Sequence, residues 1–258
     1  VFNPGFPVSV NHQLMTFEYG PGVFGPQVEQ RHLDDIRPSL LDPHAQGPDV
    51  VYSIAMDIGL DADRADLEQR MLLFGAVTYA AGRIGREPVR SQGHIHAISP
   101  SCNYSTAEVY EVWSGKCIVL MQETAQDIPG RVYAVTANPG EVLIVPPGWA
   151  HATINGDPDT PLSFGAWCIR DYGFEYADVR AHHGLAFYPI LDDGGAISWQ
   201  HNDNYDDVQL IEKRPQDYHA LGMVAGTPIY QQYRENHDQF NFVTRPQEYM
   251  DVWRNYEP

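Results

Sequence analysis

The chain has 258 residues and carries 34 Asp and Glu against 16 Lys and Arg, a formal charge of −18. So acidic a balance argues against nucleic acid and anionic membrane as partners, because both recruit cationic surface that releases their counterions. The length suits one large domain, and 43% hydrophobic with 12% aromatic residues can build a core without disulfides or a structural metal. A small phosphorylated metabolite remains compatible with this charge, since a small anion responds to local donors rather than to the summed surface.

At the N-terminal end, VFNPGFPVSVNHQLMTFEYG has no cationic start followed by an apolar run, and nowhere does the chain approach the roughly 18 apolar residues of a membrane span. Cys102, Cys117 and Cys168 are the only cysteines and show no CxxC spacing, which suits a reducing compartment. The expected setting is cytoplasmic. Residues 1–50 are rich in Pro and Gly and read as irregular cover, with one short helix expected in RHLDDIRPSLLD.

From residue 50 onward, short strand-like runs follow one another: DVVYSIAMDI, MLLFGAVTYAAG, EVYEVWSG, KCIVLMQET, RVYAVTA, EVLIVPP, HATING and LSFGAWCI. Turn residues separate them, and no helices of 10 to 15 residues intervene, which favours an antiparallel sandwich or barrel over a dinucleotide-binding sheet. Residues 60–72, with Leu67, Met71 and Leu72 at helical spacing, read as a surface helix or an inserted loop. The expected organisation is cover over 1–50, a barrel over 51–190, and an extension over 191–258 packed on the barrel or on a partner subunit, with one helix near 229–238 and Tyr230, Tyr233, Phe240 and Phe242 as packing aromatics.

The chemistry concentrates in RSQGHIHAI at 90–98, AEVYEVWSG at 107–115 and PGEVLIVPPGWAHATIN at 139–155. In an extended strand alternate side chains share a face. His94 and His96 therefore project into one cavity, and Glu108 and Tyr110 do the same around Val109. His151 follows the rigid PPGWA turn and is delivered from another strand. Three neutral imidazoles and one carboxylate make a mixed nitrogen and oxygen shell for Fe(II), Mn(II), Ni(II) or Zn(II), with room for substrate. Burying Glu108 beside three histidines without a cation would be costly.

Gly140, Pro146, Gly148, His151 and Asn155 resemble the second conserved motif of the cupin superfamily, and Glu108 to Gly115 fit the end of the first. More narrowly, GHIH, AEVYEVWSGK, VLMQ and PGEVLIVPPGWAHATIN resemble the cupin-type glucose-6-phosphate isomerases of archaea and some bacteria, over about residues 20–190. The resemblance implies an all-β, jelly-roll-like cupin barrel, commonly a homodimer, with one divalent ion per subunit, Fe(II) favoured, on His94, His96, Glu108 and His151. It also implies a sugar-phosphate substrate and a place in glycolysis and gluconeogenesis.

The same resemblance carries substrate contacts onto Tyr52, Ser91, Gly93 and Tyr110, with Tyr176 as a further tyrosine of the site. Ser91 stands where the family has a threonine, and Arg90, only four positions before His94, is the best placed of Arg83, Arg86 and Arg90 to add charge for a phosphate. Glu108 is the expected base of an enediol route and Tyr110 the shuttle for hydroxyl protons, with a metal-supported hydride shift, which needs no such base, as the alternative route.

Two departures stand out. The 11-residue segment AISPSCNYSTA between His96 and Glu108 is long and is expected to cover the mouth, offering Asn103 and Tyr104. Cys168 and Phe174 fall where the family has a tyrosine and a histidine, which leaves His182 or His183 as the expected stand-in. Another sugar or sugar phosphate, a cupin oxygenase using Fe(II), and a non-catalytic sugar-binding cupin are the alternative readings.

Overall fold

A computed structural model describes residues 2–258. Twelve strands organise the molecule: β1 (Glu29–His32), β2 (Val50–Met56), β3 (Leu72–Tyr79), β4 (Ile95–His96), β5 (Glu108–Ser114), β6 (Cys117–Gln122), β7 (Val132–Ala137), β8 (Val142–Val145), β9 (Ala150–Asn155), β10 (Leu162–Ile169), β11 (Phe174–Glu175) and β12 (Leu210–Lys213). Six of them form a sheet in the order β8-β5-β10-β3-β2-β1, and four form a second sheet in the order β9-β6-β7-β12. All pairings within both are antiparallel except β7 with β12, which is parallel. This is the expected all-β architecture, realised as two sheets. Each of the eight strand-like runs overlaps one of these strands.

Alternation along β6 shows where the core lies. Cys117, Val119 and Met121 join the cluster between the sheets, whereas Ile118 and Leu120 point outward into a second cluster with Val179, Leu185, Ala186 and Tyr205. The small sheet is thus buried on both faces. Both faces of the large sheet are covered as well, so every residue of β3 and β10 is buried. That is the physical reason these strands read as continuous apolar runs rather than as alternating ones.

The outer face of the large sheet is covered by the C-terminal segment. The helix Ile229–Glu235 lays Tyr230 and Tyr233 against Trp167, with ring centroids 5.4 and 5.2 Å away, and the Trp167 indole donates to the Ile229 carbonyl. Tyr230, Tyr233, Phe240 and Phe242 are all buried, and each contributes on the order of 1.5–3 kcal/mol by leaving water. Two other helical expectations take shorter forms: Leu33–Ile36 within the first candidate segment and Arg64–Gln69 within 60–72.

Residues 29–32, read from sequence as cover, instead form the edge strand β1 and pair with β2. The polar text EQRH hid it, because an edge strand with one solvated side carries no apolar alternation.

Candidate metal centre

The chain reaches the centre through Gly93. Its φ of +95° is open to glycine and costly for other residues, and it turns the segment so that His94 can bridge His151. The two exchange both backbone hydrogen bonds at 3.0 Å, which fixes their imidazoles side by side. Next to them β4 pairs with β11, setting His96 opposite Phe174. The ring of His94 lies 5.4 Å from His96 and 4.5 Å from His151. One ligand atom from each of the three histidines lies within 4.8 Å of the others.

Hydrogen bonds select the tautomers. His96 donates from Nδ1 to the Thr106 carbonyl at 2.8 Å, and His151 donates from Nδ1 to the Trp149 carbonyl at 3.1 Å. Each therefore presents Nε2 inward as a lone pair, the usual arrangement of a metal-ligating imidazole. The Nε2 atoms of His94 and His151 are buried and have no hydrogen-bond partner.

Burial, then the neighbouring His151 and His96, holds His94 well below the ordinary range. Burial and His96 lower His151 to about 3. Both rings are consequently neutral, as ligation requires. His96 differs: burial lowers it, but the Glu108 carboxylate outweighs that and raises it. Its Nε2 faces Glu108 Oε2 at 3.1 Å. Two lone pairs at that separation need a proton or a cation between them, and with the two orphaned nitrogens alongside, the donor set fits a divalent ion.

Glu108 opens β5 and Tyr110 follows on the same face, so both line a cavity with His94, Ser91, Thr153 and Phe164. Tyr110 stacks on Phe164 at 4.5 Å. Burial and the Glu108 charge push its phenol well above its ordinary value, so it stays protonated. Tyr52 and Tyr176 line the same cavity. Tyr52 stacks on Tyr79 at 4.8 Å, and the Arg180 guanidinium lies 4.9 Å above the Tyr176 ring. The Ser91 hydroxyl accepts the Thr153 backbone N–H at 3.0 Å while facing the cavity.

Arg90 is placed otherwise. It is 4% exposed and donates to Glu87, to the Ser39 carbonyl and to the Ser91 carbonyl. Its donors brace the wall around Glu87 and Ser39, and it is not among the residues that line the cavity. The cation there is Arg31, which sequence reasoning missed because it lies in the region read as cover. The available signal was Arg31 beside Glu29 at strand spacing.

The segment 97–107 is pinned rather than draped over the mouth. Ser99 Oγ and the Ser101 backbone donate to Asp171 at 2.6 and 2.9 Å. Asn103 and Tyr104 are not among the lining residues. The segment contributes instead the Thr106 carbonyl that orients His96.

His182 is held by Asp178 and Asp127, and the His183 carbonyl accepts the Tyr188 hydroxyl. Neither lines the cavity or its adjoining recess, so the expected stand-in is not there. Phe174 packs 4.3 Å from His94, and Cys168 lines a small adjoining recess with His96 and Glu108.

Among known proteins, the family model described as glucose-6-phosphate isomerase (GPI) matches residues 30–207. Glucose-6-phosphate isomerase of Thermococcus litoralis is 28% identical over 173 residues, covering 65% of this chain and 82% of its own length. That of Pyrococcus furiosus is 32% identical over 123 residues, 48% of this chain and 59% of its own length. A solved oxalate oxidase bound to glycolate is 17% identical and covers 49% of this chain and 56% of its own, with a TM-score of 0.34.

Proposed function

The chain belongs to the glucose-6-phosphate isomerase family, and from that membership we propose that it interconverts glucose 6-phosphate and fructose 6-phosphate at a divalent metal, Fe(II) favoured, held by His94, His96, His151 and Glu108. The observation that carries the metal is the pair of buried, partnerless Nε2 atoms on His94 and His151. When bound, the cation would supply Lewis-acid stabilisation of negative charge developing on two vicinal sugar oxygens.

The chain's own residues would do the rest. Glu108, in the cavity wall, would take the proton from C2 and return it to C1, which exchanges aldose for ketose without an external oxidant. Tyr110, held protonated by burial, would pass protons between the two hydroxyl oxygens. Gly93 and Ser91 would border the substrate beside the centre. Phe174, laid against His94, would exclude bulk water from the reacting carbons.

The test is ketose formation from a panel of aldose phosphates by metal-analysed protein, with oxygen uptake followed in parallel. Fructose 6-phosphate formation without oxygen consumption is expected. Oxygen uptake without ketose would replace the isomerase with an oxygenase. Running the reaction in deuterated water tests the proton route, since deuterium at C1 or C2 is expected and its absence counts against Glu108 as base. One observation favours a second reading, turnover of another sugar phosphate: Phe174 occupies a position where the family has a polar ring, and neither His182 nor His183 lines the cavity. The panel separates the two. The homodimer implied by the resemblance is a separate proposal, checked by sedimentation.

A further inference from the structure

We propose that Arg31 is the residue that selects a phosphorylated substrate, receiving the phosphate on the β1 side of the cavity that His94 and Glu108 also line. The inference rests on the isomerase reading for its substrate class. It starts from the cavity wall, in which Arg31 is the one Arg or Lys side chain among the described residues. The strand order β5-β10-β3-β2-β1 puts Arg31 at the far edge of the sheet from Glu108, so a sugar lying along the wall would present its two ends to different residues.

Local backbone aims the side chain. Arg31 pairs with Tyr52, and the register shifts between Arg31 and His32, an irregularity of the kind that redirects a strand side chain. Tyr52 and Tyr176 flank it in the cavity wall, each offering a phenolic O–H. Tyr52 is the cross-strand partner of Arg31, and Tyr176 lines the same cavity. One guanidinium and two phenols form a donor set for the terminal oxygens of a phosphate monoester.

The partner already on Arg31 is weak. Glu29 accepts from it at 3.2 Å, but that carboxylate is 65% exposed, whereas Arg31 is 30% exposed. A phosphate entering the cavity can displace a solvated surface carboxylate at small cost. Arg90, by contrast, is 4% exposed and bound to the 2%-exposed Glu87, and its donors are committed to that wall.

The experiment measures binding of glucitol 6-phosphate and of glucitol, polyols that cannot be isomerised, to metal-loaded wild type, Arg31→Ala and Arg31→Lys, with metal content and circular dichroism recorded for each. Wild type is expected to prefer the phosphorylated polyol. Arg31→Ala is expected to lose roughly 10- to 100-fold in affinity for it and to bind glucitol unchanged, with Arg31→Lys between the two. Equal affinity of wild type for both polyols overturns the assignment. So does a loss in Arg31→Ala that is equal for the two, or no loss at all. The readout is independent of turnover: phosphate-dependent binding lost in Arg31→Ala from a protein that makes no ketose would sink the isomerase reading while leaving Arg31 in its role.

Discussion

Glu111 offers a test of the fold that is independent of any metal. It points away from the cavity on β5, is 1% exposed, and accepts the Ile229 backbone N–H at 2.7 Å and the Trp113 indole N–H at 3.1 Å. Burial pushes its carboxyl from the ordinary 4.5 up to about 7, against the pull of those two donors. A carboxyl raised on folding binds its proton more tightly in the folded state. Stability is therefore highest below the unfolded value, falls as pH climbs from about 4.5 toward about 7, and levels off above. At 1.36 kcal/mol for each unit, the full loss is about 3 kcal/mol, of which about 2.5 kcal/mol falls between pH 5 and 8. Glu111→Gln cannot ionise, so its stability from equilibrium urea unfolding, subtracted from that of wild type at each pH, should trace this fall. Parallel curves for the two proteins would refute the reasoning. They would mean that the two N–H groups hold the carboxylate in its ordinary range, and the variant would then be less stable at every pH by the about 1.5–3 kcal/mol of a charge-assisted bond.

Three further outcomes follow from particular contacts. His151→Ala removes one ring of the three and should abolish stoichiometric divalent metal binding while leaving the thermal transition of chelator-treated protein within about 3 kcal/mol of wild type, since the core does not depend on the ion; elemental analysis and calorimetry check both. Gly93→Ala forces a side chain into φ of +95° with its Cβ 3.3 Å from Val179, so it should cost about 1–2 kcal/mol and weaken metal binding in a chelator competition by displacing His94. Tyr230→Phe strips the acceptor of the Leu60 N–H and the donor to Asp63; it should cost about 1–3 kcal/mol in urea unfolding with metal affinity unchanged, the opposite split from His151→Ala.

The core strands were legible because their burial on both faces leaves an unmistakable apolar text bounded by turns. The histidines were legible for a different reason: His94 and His96 are two apart on an extended segment, and the chain's own alternation brings them to one face. What the sequence could not reveal was which cation faces inward. Arg90 stands closest to the motif in sequence, yet the chain around it closes a buried pair with Glu87 and a carbonyl from Ser39, a contact across 51 residues. Arg31 stands far from the motif and enters through a strand whose partner, β2, must first be in place. Likewise the long segment after His96 read as a lid, because nothing local shows that Asp171, some 70 residues later, ties it down.

The placement of Arg31 also bears on how so acidic a chain can handle an acidic substrate. Charges on the surface act across water and salt, where the Debye length is about 8 Å at physiological ionic strength, so most of the acidic residues that sum to −18 are screened from any one point in the cavity. A guanidinium in the cavity wall works under a lower effective dielectric, where an ion pair at 4 Å is worth about four times its value in water before desolvation is charged against it. One inward cation can thus outweigh many outward anions for a ligand small enough to enter. A polyanion too large for the cavity meets only the surface, so a net charge of −18 does not by itself count against a small phosphorylated ligand.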